Sequence, residues 1–189
     1  HFILLSGIAG LLAGACSMAA GEYVSMRSQC EFFQYQIELE KEELELYPEE
    51  EAAELAHIYR ARGIPSEEAQ QMANDIIANP AVALNTLARE ELGLSPDELG
   101  SPFGAAAASF LAFAAGAFVP MIPFLMRFEH AALFYSLGLT VLSLLIVGAT
   151  LSLFTNRSAI VSGLRMLLIG AAAGGVTFFI GKLAGVVLQ

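Results

Sequence analysis

Charge, cysteine and histidine are all scarce in this chain. Of its 189 residues 15% are charged and 56% hydrophobic, against about 25% and 45–50% in an average soluble domain. With a mean hydropathy of +0.62, an ordinary soluble domain is excluded. Nine Lys and Arg side chains in all leave no basic stripe for phosphate contacts, so no nucleic-acid partner is expected. Cys16 and Cys30 are the two cysteines. Both fall in helical-looking sequence, where helix rise would hold them ~20 Å apart, beyond disulfide reach. Strand-like alternation is absent. None of the three histidines stands where a ligand is expected: His57 falls on the polar side of a predicted helix and His130 in a turn.

The charge that is present is concentrated. Residues 22–98 carry 18 of the 19 acidic and five of the nine basic side chains, a local net charge of −13, and the rest of the chain is +3. Around this acidic insert lie four apolar runs, Phe2–Ala20, Pro102–Met126, Ala131–Phe154 and Met166–Leu188, the last interrupted by Lys182. Each approaches or exceeds the ~20 residues that cross a bilayer as helix, and hydrocarbon leaves backbone groups no other way to be satisfied. The expected fold is therefore an all-α, multi-pass membrane protein. Residues 1–21 form one transmembrane helix, 22–100 an acidic helical domain and 101–189 a three-helix transmembrane region. The first run also resembles a signal peptide, but no basic region precedes it and the small residues around Cys16 are off the cleavage spacing by one.

Lys and Arg near the span ends set the orientation. Arg27 and Arg89 flank the insert, and Arg157 and Arg165 are expected in the loop between the last two spans, so both segments are placed in the cytosol. Arg127, in the RFEH turn, is alone on the other side. A chain that starts outside without a signal implies a fifth span before His1. Gly10 and Gly14, Gly170 and Gly174, and Gly181 and Gly185 have the GxxxG spacing that lets helices approach closely or dimerise, although glycine is common in membrane helices in any case. Pro120 and Pro123 are expected to kink the second span, and Lys182 to snorkel toward the interface.

Within the insert the first helix is expected to run on to Tyr47. A second follows Pro48 as far as Gly63, a third is capped by Ser66, and a fourth runs from Pro80 to Gly93. Glu40 and Glu43 form one ExxE and Glu51 and Glu54 another, each presenting two carboxylates on one helix face. An antiparallel turn at Pro48 would bring the four together. Glu40 shares a stripe with Phe33, Ile37 and Leu44; Glu51 lies with Leu55 and Ile58; Glu91 lies with Leu84 and Leu87. Carboxylates at the edge of an apolar face are costly unless a positive charge meets them. Lys41, Arg60, Arg62 and Arg89 are too few for that, whereas a divalent cation would suffice. The alternative is a solvated acidic face, the expected state of Glu42, Glu45, Glu49 and Glu50. Oxygen ligands suit iron(II), manganese, magnesium or calcium and serve copper(I) poorly.

The run AGACSMAAGEYVSMRSQ, the ExxE-x7-ExxE, the stretch from Pro80 to the ELGL around Glu91, and PFGAAAASFLAFAAGAFVPMIPF together resemble the vacuolar iron transporter family along essentially the whole chain. The resemblance implies a five-helix membrane fold, of which four spans are present here, and a homodimer in the lipid bilayer. It implies export of Fe2+, sometimes Mn2+, from the cytosol by proton antiport, with no organic cofactor and no enzymatic reaction. It assigns metal binding to Glu40, Glu43, Glu51, Glu54 and Glu91 and the transport pathway to Met18. A family methionine ligand falls on Leu87, which implies an all-oxygen site, and a membrane glutamate of plant members falls on Gly10. The pathway aspartate of the family's first span would lie before His1. The host is expected to be a bacterial cell membrane, or a vacuolar membrane in a eukaryote. Two other readings stay open. A ferritin-like storage or oxidation protein needs Glu-x-x-His motifs, and neither ExxE is read as followed by a suitably placed histidine. A membrane-anchored acidic module would bind a basic partner without metal.

Overall fold

The computed structural model describes residues 2–96, 99–126, 128, 131–183 and 185. Arg127, Glu129 and His130 of the predicted outer turn lie outside them, as does His1. No strand occurs among the described residues. The helices are α1 (Phe2–Leu46), α2 (Pro48–Ala61), α3 (Ser66–Ile77), α4 (Pro80–Glu90), α5 (Pro102–Phe118), α6 (Ile122–Leu125), α7 (Ala132–Thr155) and α8 (Ala159–Leu183), with a 3-10 turn at Val119–Met121. Four segments are long and apolar enough to cross a membrane, beginning in α1, α5, α7 and α8. The chain is an all-α membrane protein. It packs as two units, Met18–Ser109 and His1–Ser17 with Phe110–Gln189, whose dividing points fall inside α1 and α5.

In the membrane unit the tightest packing is between α7 and α8. A Cβ on Gly148 would stand 2.6 Å from both the Gly163 Cα and the Ser162 carbonyl oxygen, so the two backbones touch where neither residue has a side chain. Of the predicted GxxxG pairs, Gly14 is closed over by the Phe113 ring and Gly170 by Leu144, while Gly10, Gly174 and Gly181 face open space and Gly185 adopts a left-handed φ of +77°. The close crossing thus comes from one glycine on each helix. Pro120 and Pro123 break the second span into α5, the 3-10 turn and α6. The Ser136 hydroxyl of α7 donates to the Pro120 carbonyl at 2.8 Å. α7 ends on Asn156, whose φ of 49° is the left-handed cap that asparagine tolerates. The last helix starts earlier than hydropathy suggested. Arg165 is an exposed residue inside α8 and not in the loop, because a guanidinium near a helix end can reach water along its own stem. Lys182 is exposed in the final turn of the same helix.

The other unit is built by the part of α1 from Met18 onward with α2, α3 and α4. Its core is Leu55, Ala56, Tyr59, Ala69, Ala73 and Leu87, with Leu44, Ile64, Ile76 and Ile77 packed around it. The alanines let α2 and α3 lie closely together. Their connection is a Schellman turn, in which Ile64 N–H bonds the Tyr59 carbonyl and Gly63 N–H the Arg60 carbonyl; Gly63 supplies the required φ of +96°. Ser66 is the first residue of α3 and not its cap: Pro65 precedes the helix and no side chain caps it. The expected antiparallel hairpin of α1 and α2 is also corrected. One residue, Tyr47, separates them, fewer than the two to five that a helical hairpin uses, and α2 packs chiefly on α3.

Candidate metal centre

Three helices each present one carboxylate one turn from a buried or half-buried leucine. Glu40 precedes Leu44 on α1, Glu51 precedes Leu55 on α2, and Glu91 follows Leu87 at the end of α4. Residues four apart share a helix face, so burying the three leucines draws the three acids together. One oxygen from each of Glu40, Glu51 and Glu91 lies within 4.8 Å of the other two. Glu40 is 4% exposed and Glu51 5%, and Glu91 is half-buried.

The grouping is electrostatically unfavourable as it stands. Glu40 Oε1, Glu51 Oε2 and Glu91 Oε1 are buried without a hydrogen-bond partner. Arg62 pairs with Glu90 and Lys41 with Glu38, and Arg60 reaches the Ala56 carbonyl and the His57 ring. Glu51 stands in the first turn of α2, where the helix dipole favours an anion, but Glu91 follows the last turn of α4, where it opposes one. Burial, reinforced by the Glu40 carboxyl, pushes Glu51 up to about 7. Burial and the Glu51 charge push Glu91 up to about 7. Glu40 rises too, through burial and then Glu91, although the hydrogen bond it shares with Glu51 opposes the rise. Near neutral pH Glu51 and Glu91 therefore retain in part the protons that isolated glutamates would have lost, and Glu40 holds its proton to a higher pH than an isolated glutamate.

Either protons or a cation resolves such a cluster. Two oxygens on one ion lie at most twice the metal–oxygen distance apart, about 4.2 Å for a Mg2+-sized ion and about 5 Å for Ca2+. The oxygens lie within 4.8 Å of one another, inside the limit for Ca2+, and three hard oxygens suit a dication of the iron, manganese, magnesium or calcium class.

The remaining sequence-derived candidates are placed differently. Glu43 and Glu54, the outer members of the two ExxE pairs, are exposed and stand outside the three-residue group, though their charges still act on Glu51 and Glu91. Glu42, Glu45, Glu49 and Glu50 face solvent. Met18 is 48% exposed on α1. Leu87 is fully buried in the core and takes no polar role. One residue was passed over. Glu54 and His57 are three apart on α2, so the Glu-x-x-His spacing is present once, and both line an open cavity of about 660 Å³ with Glu90 and Glu91. The spacing was legible in the sequence; what hid it was reading Glu54 only as the end of an ExxE.

Known proteins resemble the chain throughout. The sequence model of the VIT family matches residues 1–182. "Vacuolar iron transporter 1" of Arabidopsis thaliana is 32% identical over 182 residues, covering 95% of this chain and 72% of that protein. "Vacuolar iron transporter 2" of Oryza sativa subsp. japonica is 30% identical over 181 residues, 95% of this chain and 74% of the relative. "Vacuolar iron transporter" of Acanthamoeba castellanii is 32% identical, with 96% and 69% covered. These relatives are eukaryotic and give the expected bacterial membrane no support. A match that runs from the first apolar helix through the acidic domain to the last span establishes that the chain belongs to the VIT family.

Proposed function

We propose that the protein moves Fe2+, with Mn2+ as a second cargo, out of the cytosol in exchange for protons, as a homodimer in the bilayer. Family membership and relatives described as iron transporters support the cargo. One structural observation supports metal binding coupled to protons: three carboxylate oxygens, from Glu40, Glu51 and Glu91, lie within 4.8 Å of one another, buried and unpaired. In this reading the acidic unit faces the cytosol and its negative field draws dications in. Glu40, Glu51 and Glu91 hold the ion, and the exposed Glu43 and Glu54 gather it. Met18 then offers a weak, polarizable sulfur on α1 as the ion enters the membrane. Binding displaces the protons that burial keeps on the carboxyls near pH 7, so metal and proton compete for one set of oxygens. That competition is the coupling element for antiport.

The test is equilibrium binding of Mn2+ and Fe2+ to the purified 189-residue chain in detergent, at about pH 7.5 and without oxygen. Glu40→Ala combined with Glu51→Ala is expected to abolish high-affinity binding, and Glu40→Ala with Glu43→Ala to weaken it at least about tenfold. Unchanged binding by the folded double variants would overturn the assignment. An acidic interaction module predicts instead that added metal leaves thermal stability unmoved.

A further inference from the structure

The membrane unit carries positive charge with a single acid to match it. That acid, Glu129 by sequence, precedes α7, whose 24 residues separate it from Arg157 and Arg165. Both arginines are exposed, and neither guanidinium has an ion pair or hydrogen bond among the described residues. Arg165 stands six residues inside α8, ~9 Å along its axis. Val161, Leu164, Leu168 and Ile169 around it are each at least half exposed, a surface for lipid chains and not for water. A charge held there is costly unless it reaches the headgroups.

Helix geometry sets where it reaches. The 25 residues of α8 span ~37 Å, more than the ~30 Å of hydrocarbon, which leaves the first turn at headgroup level. Long side chains on a helix lie back toward its N-terminus, so the Arg165 stem runs over Val161, one turn earlier, toward Ser158. Arg157 stands there, beside a helix end whose dipole adds positive charge. The ~12 Å of rise between the two arginines is within the combined reach of their side chains.

We propose that Arg157 and Arg165 clasp the phosphate of one anionic phospholipid at the start of α8. Guanidinium forks match phosphate oxygens in pairs, and the phosphate supplies the charge that both arginines lack. A free phosphate ion offers the same oxygens, but the exposed Val161, Leu164 and Leu168 favour one that carries acyl chains. A zwitterionic lipid brings an ammonium group that the arginines repel. Ser162 and Gly163 lie in the next turn and make the close crossing with Gly148 of α7, so the lipid fastens this end of the α7–α8 pair.

Native mass spectrometry of the 189-residue chain reads the site, with the protein released from detergent holding equal amounts of phosphatidic acid and phosphatidylcholine of the same chains. The wild type is expected to retain one phosphatidic acid at least about fivefold over phosphatidylcholine, the scale of one arginine at an anionic headgroup. Arg157→Gln with Arg165→Gln is expected to erase the preference; both side chains are exposed and unpaired, so the variant folds. Lys182→Gln, in the last turn of α8, is expected to keep it. In thermal unfolding, phosphatidic acid is expected to raise the wild-type melting temperature and leave the double variant unmoved, with inorganic phosphate raising neither. Equal retention of the two lipids, a preference that survives in the double variant, or one lost equally in Lys182→Gln overturns the proposal. Matching protection by inorganic phosphate marks a site for the free anion and overturns the lipid.

Discussion

At the residue scale the decisive fact is that three acids, two buried and one half-buried, stand together with one oxygen of each lacking a hydrogen-bond partner. Their raised proton affinities fix the pH dependence of the metal-free protein. A carboxyl with a higher pKa folded than unfolded makes the native state bind more protons between the two values, so stability falls as pH rises through that interval. For Glu51 and Glu91 the interval runs from 4.5 to about 7. The metal-free protein is therefore expected to melt at a lower temperature at pH 8 than at pH 5.5, as read by thermal unfolding in detergent. Saturating Mn2+ should remove most of that difference. Glu51→Gln replaces a buried charge by a neutral amide of the same shape; it should raise the pH 8 melting temperature of the metal-free form and flatten the pH profile, at the expense of metal binding. A lower melting point for this variant at pH 8 would show that Glu51 stabilises the fold through a partner it lacks here. The sequence disclosed which acids stand beside apolar neighbours, because period and composition carry that information. It did not disclose that Glu91, and neither Glu43 nor Glu54, completes the inner set; that depends on the single-residue turn at Tyr47 and on α2 packing against α3.

At the element scale, glycine placement carries the fold. Hydropathy and proline positions located every helix, since an apolar run in a membrane has one backbone solution and Pro48, Pro65 and Pro80 mark the breaks in the acidic unit. Helix ends were less legible. Arg165 lies inside α8, because hydropathy treats a charge as a boundary and a snorkelling side chain does not. The α7–α8 crossing uses one glycine on each helix, Gly148 and Gly163, a pairing that GxxxG spacing along a single helix does not report. Gly148→Leu should disrupt the α7–α8 pair, because the added atoms meet backbone that cannot yield. A loss of about 1–3 kcal/mol, the usual cost of overpacking, is expected in detergent unfolding, with Gly138→Leu, at a position facing open space and outside the GxxxG pairs, as the silent control. Gly63→Ala should destabilise the acidic unit by about 1 kcal/mol, because φ of +96° is strained for any side chain.

At the scale of the whole molecule, the membrane unit and the acidic helical unit share two continuous helices, α1 and α5. The net charge of −13 across residues 22–98 is useful for capture and unfavourable for compactness, so cation binding should stabilise the unit beyond the local contacts. A proton-coupled carrier also requires that loading the ion release protons. The most direct measurement is calorimetric titration of the folded 189-residue chain with Mn2+ at about pH 7, repeated in two buffers of different ionisation enthalpy. The account predicts saturable binding that releases on the order of one to two protons per ion, and loss of both effects in Glu40→Ala with Glu51→Ala. Binding with no proton release, or no binding by protein shown to be folded, would contradict it.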